Sequence, residues 1–225
     1  MNDLREDAMS QVQAAQPQTR RAIVYVDGFN LYYGALKGGP HKWLNLERFF
    51  CRLRQHDQIQ RIRYFTAKVC GNHLANQEAY LLALTTLPLV DVILGRFKAK
   101  QIKCMVPGCP NPGRRVFTTQ EEKRTDVNIA LWMLDDAQRD LCDRLILVSG
   151  DSDLVPAVRM VRDRFPEKEI VAYIPAKNET RGAALELRAE AHKNKTLPLD
   201  LLAKSQLPAS IDLGGGRTVN RPATW

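Results

Sequence analysis

The chain has 225 residues, of which 44% are hydrophobic and 26% are charged, and its formal net charge is +8. This hydrophobic content excludes a globally disordered chain, and the length suits one α/β domain with tails. No apolar run approaches the roughly 18 residues that a membrane-spanning helix needs, so we expect no transmembrane segment. The N-terminus lacks the apolar core of a signal peptide, and the five cysteines are an odd number. Together these features predict a cytoplasmic protein with reduced thiols.

Composition separates the two ends of the chain from its middle. Residues 1–20 are polar and rich in Gln and Ala, and residues 205–225 contain three consecutive glycines and two prolines. We therefore expect flexible tails at 1–20 and 205–225 and a single folded domain over residues 21–204. A pI near 9.4 favours an anionic partner, with nucleic acid first.

Short apolar runs alternate with helical patterns through the middle of the chain. Taken in order, the pattern predicts strands at 22–26, 59–66, 89–94, 144–148 and 169–174, and helices at 29–36, 46–53, 74–87, 126–138, 153–164 and 182–191. The helix at 126–138 has Val127, Ala130, Leu131 and Leu134 as its expected buried stripe. Residues 95–123 are predicted to be irregular, with a hairpin using residues 115–118. Alternating strands and helices indicate right-handed βαβ units and a mostly parallel sheet with helices on both faces.

Aspartates follow the ends of two predicted core strands. The first strand leads into Asp27, in VDGFN, and RLILV leads into Asp151 and Asp153, in SGDSD. Asp126 stands at the start of a helix, in EEKRTDVNIA. Sites in parallel α/β folds form beyond the carboxyl ends of strands, so neighbouring strands would crowd these acids into one crevice.

Crowded carboxylates repel one another unless a cation neutralises them, and oxygen ligands suit Mg²⁺ or Mn²⁺. A basic surface beside such a site is a common arrangement in nucleases, where the cation activates water and neutralises phosphate. Each acid also has a purely structural interpretation. Asp27 precedes a glycine and fits a turn, Asp151 or Asp153 fits a helix cap, and Asp126 fits a first-turn acid.

Three motifs, VDGFNLYYG, EEKRTDVNIA and LVSGDSDLVPAVRMV, resemble in order and context the NYN domain family, the LabA-like branch of the PIN-like nuclease superfamily. The resemblance covers roughly residues 21–205. It implies a three-layer α/β/α sandwich with a mostly parallel central sheet, PIN-like and Rossmann-like, and a metal-dependent ribonuclease. It also implies that Asp27, Asp126, Asp151 and Asp153 are the catalytic and metal-binding quartet, that Asn30 lines the pocket and that Ser149 supports the Asp151 loop.

Basic residues cluster between the third predicted strand and Asp126. We expect Lys98, Lys123 and Arg124 to bind the nucleic acid backbone, with the largest role for the two that adjoin Asp126. Phe97, Phe117 and Trp43 are candidates for stacking on an unpaired base, against the alternative that they belong to the core.

A second metal site is a weaker hypothesis. Cys104 and Cys109 flank a Pro/Gly-rich loop, and Cys70 and His73 follow another strand, so the four together would supply the ligands of a structural Zn²⁺. The alternative is a loop with two reduced thiols.

Two functions from different classes remain open at this point. The first is a metal-dependent ribonuclease, and the second is a non-catalytic RNA-binding or regulatory module with the same fold. A homodimer and an inhibitory or regulatory protein partner are further expectations. Carboxylate–metal chemistry cleaves RNA and DNA alike, so RNA rests on the resemblance.

Overall fold

A computed structural model describes residues 19–110, 116–176 and 184–223. Ten strands are present in these ranges: β1 Arg20–Asp27, β2 Asp57–Thr66, β3 Val90–Leu94, β4 Arg96–Lys103, β5 Val116–Lys123, β6 Arg144–Val148, β7 Glu169–Ile174, β8 Lys193–Thr196, β9 Ser210–Gly214 and β10 Arg217–Asn220. The same ranges hold seven α-helices: α1 Gly28–Leu31, α2 Leu46–Leu53, α3 Leu74–Leu84, α4 Thr125–Gln138, α5 Val155–Arg164, α6 Leu185–Glu190 and α7 Asp200–Ala203. A π-helical turn, Tyr32–Leu36, continues α1, and single 3₁₀ turns precede α3 and α5.

The central sheet has six parallel strands in the order β3-β2-β1-β6-β7-β8. Strand β1 is buried on both faces, because Val24 and Val26 pack into one hydrophobic core while Ile23 and Tyr25 pack into the other. Helices cover both cores, so the predicted three-layer α/β/α sandwich is confirmed. No helix in the described residues is long and apolar enough to cross a bilayer.

Helix α4 turns a different face to the core from the one predicted. Ile129, Met133 and Ala137 are buried, whereas Val127 and Leu131 are 61% and 60% exposed, so the predicted stripe is wrong at these two positions. Leu134 of that stripe is partly buried and packs against the core. The real stripe includes Asp136, which is fully buried and accepts hydrogen bonds from Arg63 Nε at 2.8 Å and Arg63 Nη2 at 2.6 Å. A buried aspartate interrupts the apolar residues at helical spacing from which the stripe was predicted, and this explains the difference.

The segment after residue 205 is packed, so the prediction of an unpacked tail at 205–225 is wrong for its described part. Strands β9 and β10 form an antiparallel hairpin, and Val219 lies in the core. The three glycines 214–216 all have positive φ and make the turn, a conformation that glycine adopts without steric cost. The backbone oxygen of Pro208 accepts a hydrogen bond from Trp43 Nε1 at 2.7 Å, which ties this segment to the domain. Residues 1–18 of the predicted N-terminal tail lie outside the described ranges.

Residues 95–123 are more regular than predicted. Strands β4 and β5 pair antiparallel over eight residues each, from Arg96 opposite Lys123 to Lys103 opposite Val116. The Gly95 amide donates to the Thr66 carbonyl at 2.7 Å, so this hairpin starts at the carboxyl edge of the central sheet. It therefore stands beside the edge where the aspartates were expected.

Candidate active site

Strands β1 and β6 are neighbours at the centre of the sheet, and Val26 pairs with Val148 at their carboxyl ends. The next residue of the first strand is Asp27, and the loop after the second begins with Ser149. The adjacency assumed from the sequence is therefore present, and both loops open at the same edge.

Asp27 is only 2% exposed and is surrounded by hydrogen-bond donors. Its Oδ1 accepts from the amides of Phe29 and Asn30 at 3.1 and 3.0 Å, which makes it the N-cap of α1. Its Oδ2 accepts from Asn30 Nδ2 at 2.6 Å and from the Ser149 hydroxyl at 2.9 Å. A carboxylate has about four acceptor positions, so the protein itself fills those of Asp27.

The structural interpretation of Asp27 as a cap is confirmed, and capping leaves a role in a site at the same edge open. Burial raises the pKa of Asp27, and the negative charge of Asp151 raises it further, while the hydrogen bonds from Asn30 and Ser149 lower it. The four hydrogen bonds to Asp27 favour its ionised form and so oppose part of the effect of burial.

The loop after β6 is fastened to the same group of residues. The Gly150 amide donates to Asn30 Oδ1 at 3.1 Å, and the Asp151 amide donates to the Ser149 hydroxyl oxygen at 3.1 Å. Asp151 Oδ1 in turn accepts from the Asp153 amide at 2.9 Å and caps the 3₁₀ turn Ser152–Leu154. Asn30 and Ser149 thus position the carboxylates of both loops.

The pKa of Asp126 is affected by the charges of the other acids. Burial and, in decreasing order, the negative charges of Asp27, Asp151, Glu122 and Asp153 together raise its pKa from 3.8 to about 6. All four predicted acids therefore lie close enough to interact at one edge of the sheet. Within the described residues, the carboxylates of Asp126 and Asp153 accept no hydrogen bond, unlike that of Asp27.

Glu122 is a site residue that the sequence analysis missed. Its Oε1 accepts hydrogen bonds from the amide and the hydroxyl of Thr125, and so it fixes the start of α4 beside Asp126. The available signal was its spacing, since Glu122 stands four residues before Asp126 in EEKRTD. The sequence alone does not show that Glu122 lies on strand β5 and faces the start of α4.

The acids do not form a closed set of metal ligands. No group of three or more His, Cys, Asp or Glu side chains within 19–110, 116–176 and 184–223 is arranged to hold a metal ion. Mg²⁺ usually takes only one or two protein carboxylates and keeps several waters, so this arrangement is compatible with it. The same finding means that Cys70, His73, Cys104 and Cys109 are not gathered into one cluster, and the zinc hypothesis gains no support.

The basic residues lie on the β4–β5 hairpin and at its end. Lys98 stands opposite Glu121, and Lys100 and Lys123 form ion pairs with Glu121 at 3.5 and 2.9 Å. Arg124 has a φ of 84° and turns the chain from the hairpin into α4. The predicted cationic segment is thus placed beside Asp126, although Glu121 neutralises part of its charge.

The three aromatic candidates fall in different environments. Trp43 is fully buried, so the alternative that it belongs to the core is confirmed. The ring of Phe97 packs edge-to-face on Phe29 at 5.6 Å and joins the hairpin to α1. Phe117 is 51% exposed and lies farther along the hairpin, opposite Ile102.

Comparison with known proteins identifies relatives of this chain. The family model described as NYN domain matches residues 21–197. A Pseudomonas putida protein, 6-hydroxy-3-succinoylpyridine 3-monooxygenase HspA, is 30% identical over 237 aligned positions, which cover 91% of this chain and 75% of that protein. A crystal structure of a protein of unknown function from Vibrio parahaemolyticus superposes with a TM-score of 0.55 at 18% identity, covering 85% of this chain and 99% of the other. At that identity the superposition bears on the fold alone. Since the family model covers most of the chain, including all four aspartates, the chain belongs to the NYN domain family.

Proposed function

We propose that this protein is a metal-dependent ribonuclease that hydrolyses RNA phosphodiester bonds at the edge formed by β1, β6 and α4, in the cytoplasm. The observation that carries the proposal is geometric: Asp27 and Asp151 follow the carboxyl ends of the neighbouring strands β1 and β6. Burial, and after it the negative charges of the other acids, raise the pKa of Asp126 beside them to about 6. Capping explains why Asp27 and Asp151 are retained, but the burial of Asp126 among like charges is unfavourable for the fold. A divalent cation would relieve the repulsion, and membership of the NYN family supports a nuclease.

The acids divide into two groups by their hydrogen bonds. Asp27 is fixed by four donors, so it would reach the ion through water or by releasing one of the donors on its Oδ2. Asp126, Asp151 and Asp153 keep unused carboxylate oxygens within the described residues and would supply the more direct contacts. Asn30 and Ser149 would act as positioning residues, since each links the loop after β1 to the loop after β6.

When bound, Mg²⁺ or Mn²⁺ lowers the pKa of water and offsets the negative charge that develops on the phosphate. The residues of this chain would position the phosphate against that water, so that water adds to phosphorus as the bond to the 3′ oxygen breaks. That oxygen takes up a proton, which leaves 5′-phosphate and 3′-hydroxyl ends. Lys98, Lys123 and Arg124, on the β4–β5 hairpin and at its end, would contact the phosphate backbone, and we propose RNA rather than DNA on the resemblance to the family.

The test is cleavage of a panel of fluorescent RNAs in Mn²⁺, in Mg²⁺ and in EDTA. We expect cleavage that EDTA abolishes and that Asp151→Asn reduces by at least about 10³-fold, as expected when an ionic ligand of the reacting centre is lost. Asp163→Asn is the matched control, because Asp163 is exposed on α5 and its carboxylate is 71% accessible. Equal activity of Asp151→Asn and wild type would overturn the proposal, and binding without cleavage would favour the non-catalytic module.

Oxygenation of a pyridine ring is a second candidate, because the Pseudomonas putida relative is named as a monooxygenase of a hydroxypyridine. The structural observation in its favour is a cavity with aromatic walls that adjoins Asp27. This reaction needs molecular oxygen and a two-electron donor. Incubation of the protein with a succinoylpyridine, NADH and flavin under air would give a hydroxylated product in this case, and an unchanged pyridine in the case of a ribonuclease.

A further inference from the structure

A cavity of about 210 Å³ opens beside the acidic edge, between α1, its π-helical continuation and the end of β2. Its walls are largely aromatic and come from four segments of the chain. The rings belong to Phe29, Tyr32, Tyr33, Tyr64 and Tyr80. None of its described lining residues is acidic, whereas Lys37, Lys42 and His73 are basic. A flat, uncharged or anionic group therefore fits the cavity better than a cation.

The cavity is structurally continuous with the acidic site. Gly28 lines it and directly follows Asp27, and a Cβ atom at Gly28 would lie 2.8 Å from the Tyr64 ring and 2.7 Å from the Phe65 carbonyl oxygen. The absence of a side chain at Gly28 lets Tyr64 lie against the start of α1. One wall of the cavity is thereby set next to the Asp27 carboxylate, whose charge also acts on Tyr64.

The basic residues of the cavity differ in what they already contact. Lys37 lies over the ring of Tyr33, with its Nζ atom 4.8 Å from the ring centre. The half-buried side chain of Lys42, by contrast, forms no hydrogen bond or ion pair with any other residue in the described part of the chain. A lysine without an acid partner is available to form a charge-assisted hydrogen bond with an incoming anion.

We propose that this cavity binds one unpaired nucleobase of the RNA, next to the scissile phosphate, with Tyr33 as the stacking ring and Lys42 as a contact to the neighbouring phosphate. The inference rests on the proposed ribonuclease function and adds a subsite to it. The volume suits one ring system and is too small for a folded segment of a protein partner. Tyr33 is 58% exposed at the mouth of the cavity, with the Tyr32 ring packed against it at 5.1 Å and Lys37 Nζ over its ring. A base would therefore stack on Tyr33 by taking the place of Lys37.

The experiment measures binding in EDTA, so that it does not depend on cleavage. A labelled single-stranded RNA hexamer is titrated with protein and followed by fluorescence anisotropy, beside six hexamers that each lack one base. Wild type should bind the intact hexamer about tenfold more tightly than one particular abasic hexamer, a typical effect of one stacked base. Tyr33→Ala should lose this difference, and Tyr33→Phe, which retains the ring, should keep it.

The lysine arm uses Lys42→Met with Lys204→Met as the matched control, since Lys204 is exposed and does not line the cavity. Lys42→Met should weaken binding of all the hexamers and lower the slope of log affinity against log salt by about one, and the control should change neither. Wild-type affinity and wild-type discrimination in Tyr33→Ala would overturn the subsite.

Cleavage of the same hexamers in Mn²⁺ separates the two proposals. Base-dependent binding without any cleavage would keep the subsite and overturn the ribonuclease. Cleavage with no dependence on any single base would keep the ribonuclease and overturn the subsite. Binding of a hydroxypyridine carboxylic acid, lost in Tyr33→Ala, with no binding of RNA would assign the cavity to a small aromatic acid and overturn the inference.

Discussion

Asp126→Asn should stabilise the metal-free protein at neutral pH. The pKa of Asp126 is raised from 3.8 to about 6 by burial and by the neighbouring acids, so ionised Asp126 is unfavourable in the fold. A fully buried group with this shift would cost about 3 kcal/mol at neutral pH. Asp126 is partly exposed, and screening by water reduces the cost to between about 1 and 2 kcal/mol. The amide also loses about 0.5 kcal/mol of attraction to the N-terminus of α4, which leaves a net gain of about 1 kcal/mol.

The stability gained by Asp126→Asn should depend on pH. Because the pKa of Asp126 is higher in the folded chain than in the unfolded chain, the folded chain binds more protons between about pH 4 and 6. Its stability therefore falls as the pH rises through this window. The advantage of Asp126→Asn should be absent near pH 4 and complete above about pH 7.

Urea unfolding in EDTA, at several pH values, measures the difference in the free energy of unfolding between wild type and variant. Asp135→Asn is the control, because Asp135 lies on the same helix and is exposed, and its one ion pair among the described residues is with Arg139, at 3.3 Å. That variant should change the free energy of unfolding by less than about 0.5 kcal/mol, and this difference from wild type should not increase between pH 4 and 7. Saturating Mg²⁺ should stabilise wild type more than Asp126→Asn. A variant that is no more stable than wild type at pH 7.5 would refute the idea that the acids repel one another.

Three further variants test the loop contacts, the packing and the basic residues around the site. Ser149→Ala removes the hydroxyl that bridges the two loops, so urea unfolding should show a loss of about 1 to 3 kcal/mol, and a loss below about 0.3 kcal/mol would contradict the bridge. Gly28→Ala forces Tyr64 away from the start of α1 and should cost about 1 to 3 kcal/mol in the same assay, whereas an unchanged midpoint would mean that the close approach is absent. Lys98→Glu combined with Lys100→Glu should weaken RNA binding and flatten its dependence on salt, and unchanged anisotropy titrations would remove the hairpin from the interface.

Much of the fold follows from local sequence patterns. The strand Arg144–Val148 has the predicted bounds because RLILV is buried on both faces and no polar residue interrupts it. Helix α2 also has its predicted bounds, since Asn45 caps it by accepting the Arg48 amide at 2.8 Å. Long-range pairing explains the errors. The stripe of α4 was misplaced because Asp136 is matched by Arg63, which lies 73 positions away.

The candidate site was predictable to the extent that it depends on strand ends. Asp27 and Asp151 were expected together because parallel strands deliver their next residues to one edge, and the structure adds that β1 and β6 are neighbours. Glu122 and the aromatic cavity were missed because they arise from the packing of separate elements, the β4–β5 hairpin in the first case and Tyr64 against Gly28 in the second. The spacing of four residues between Glu122 and Asp126 can be read in the sequence, whereas no spacing along the chain indicates the packing of Tyr64 against Gly28.

The most direct test of the account measures Mn²⁺ binding by electron paramagnetic resonance. It asks whether aspartates that are far apart in the sequence form one cation site. Wild type should deplete the signal of free Mn²⁺, and Asp126→Asn combined with Asp151→Asn should not, while both proteins retain the same circular dichroism spectrum. Asp135→Asn combined with Asp163→Asn should bind like wild type, since both carboxylates are exposed and lie outside the group that acts on Asp126. Equal Mn²⁺ binding by wild type and by the variant that lacks Asp126 and Asp151 would contradict a catalytic metal at this edge of the sheet.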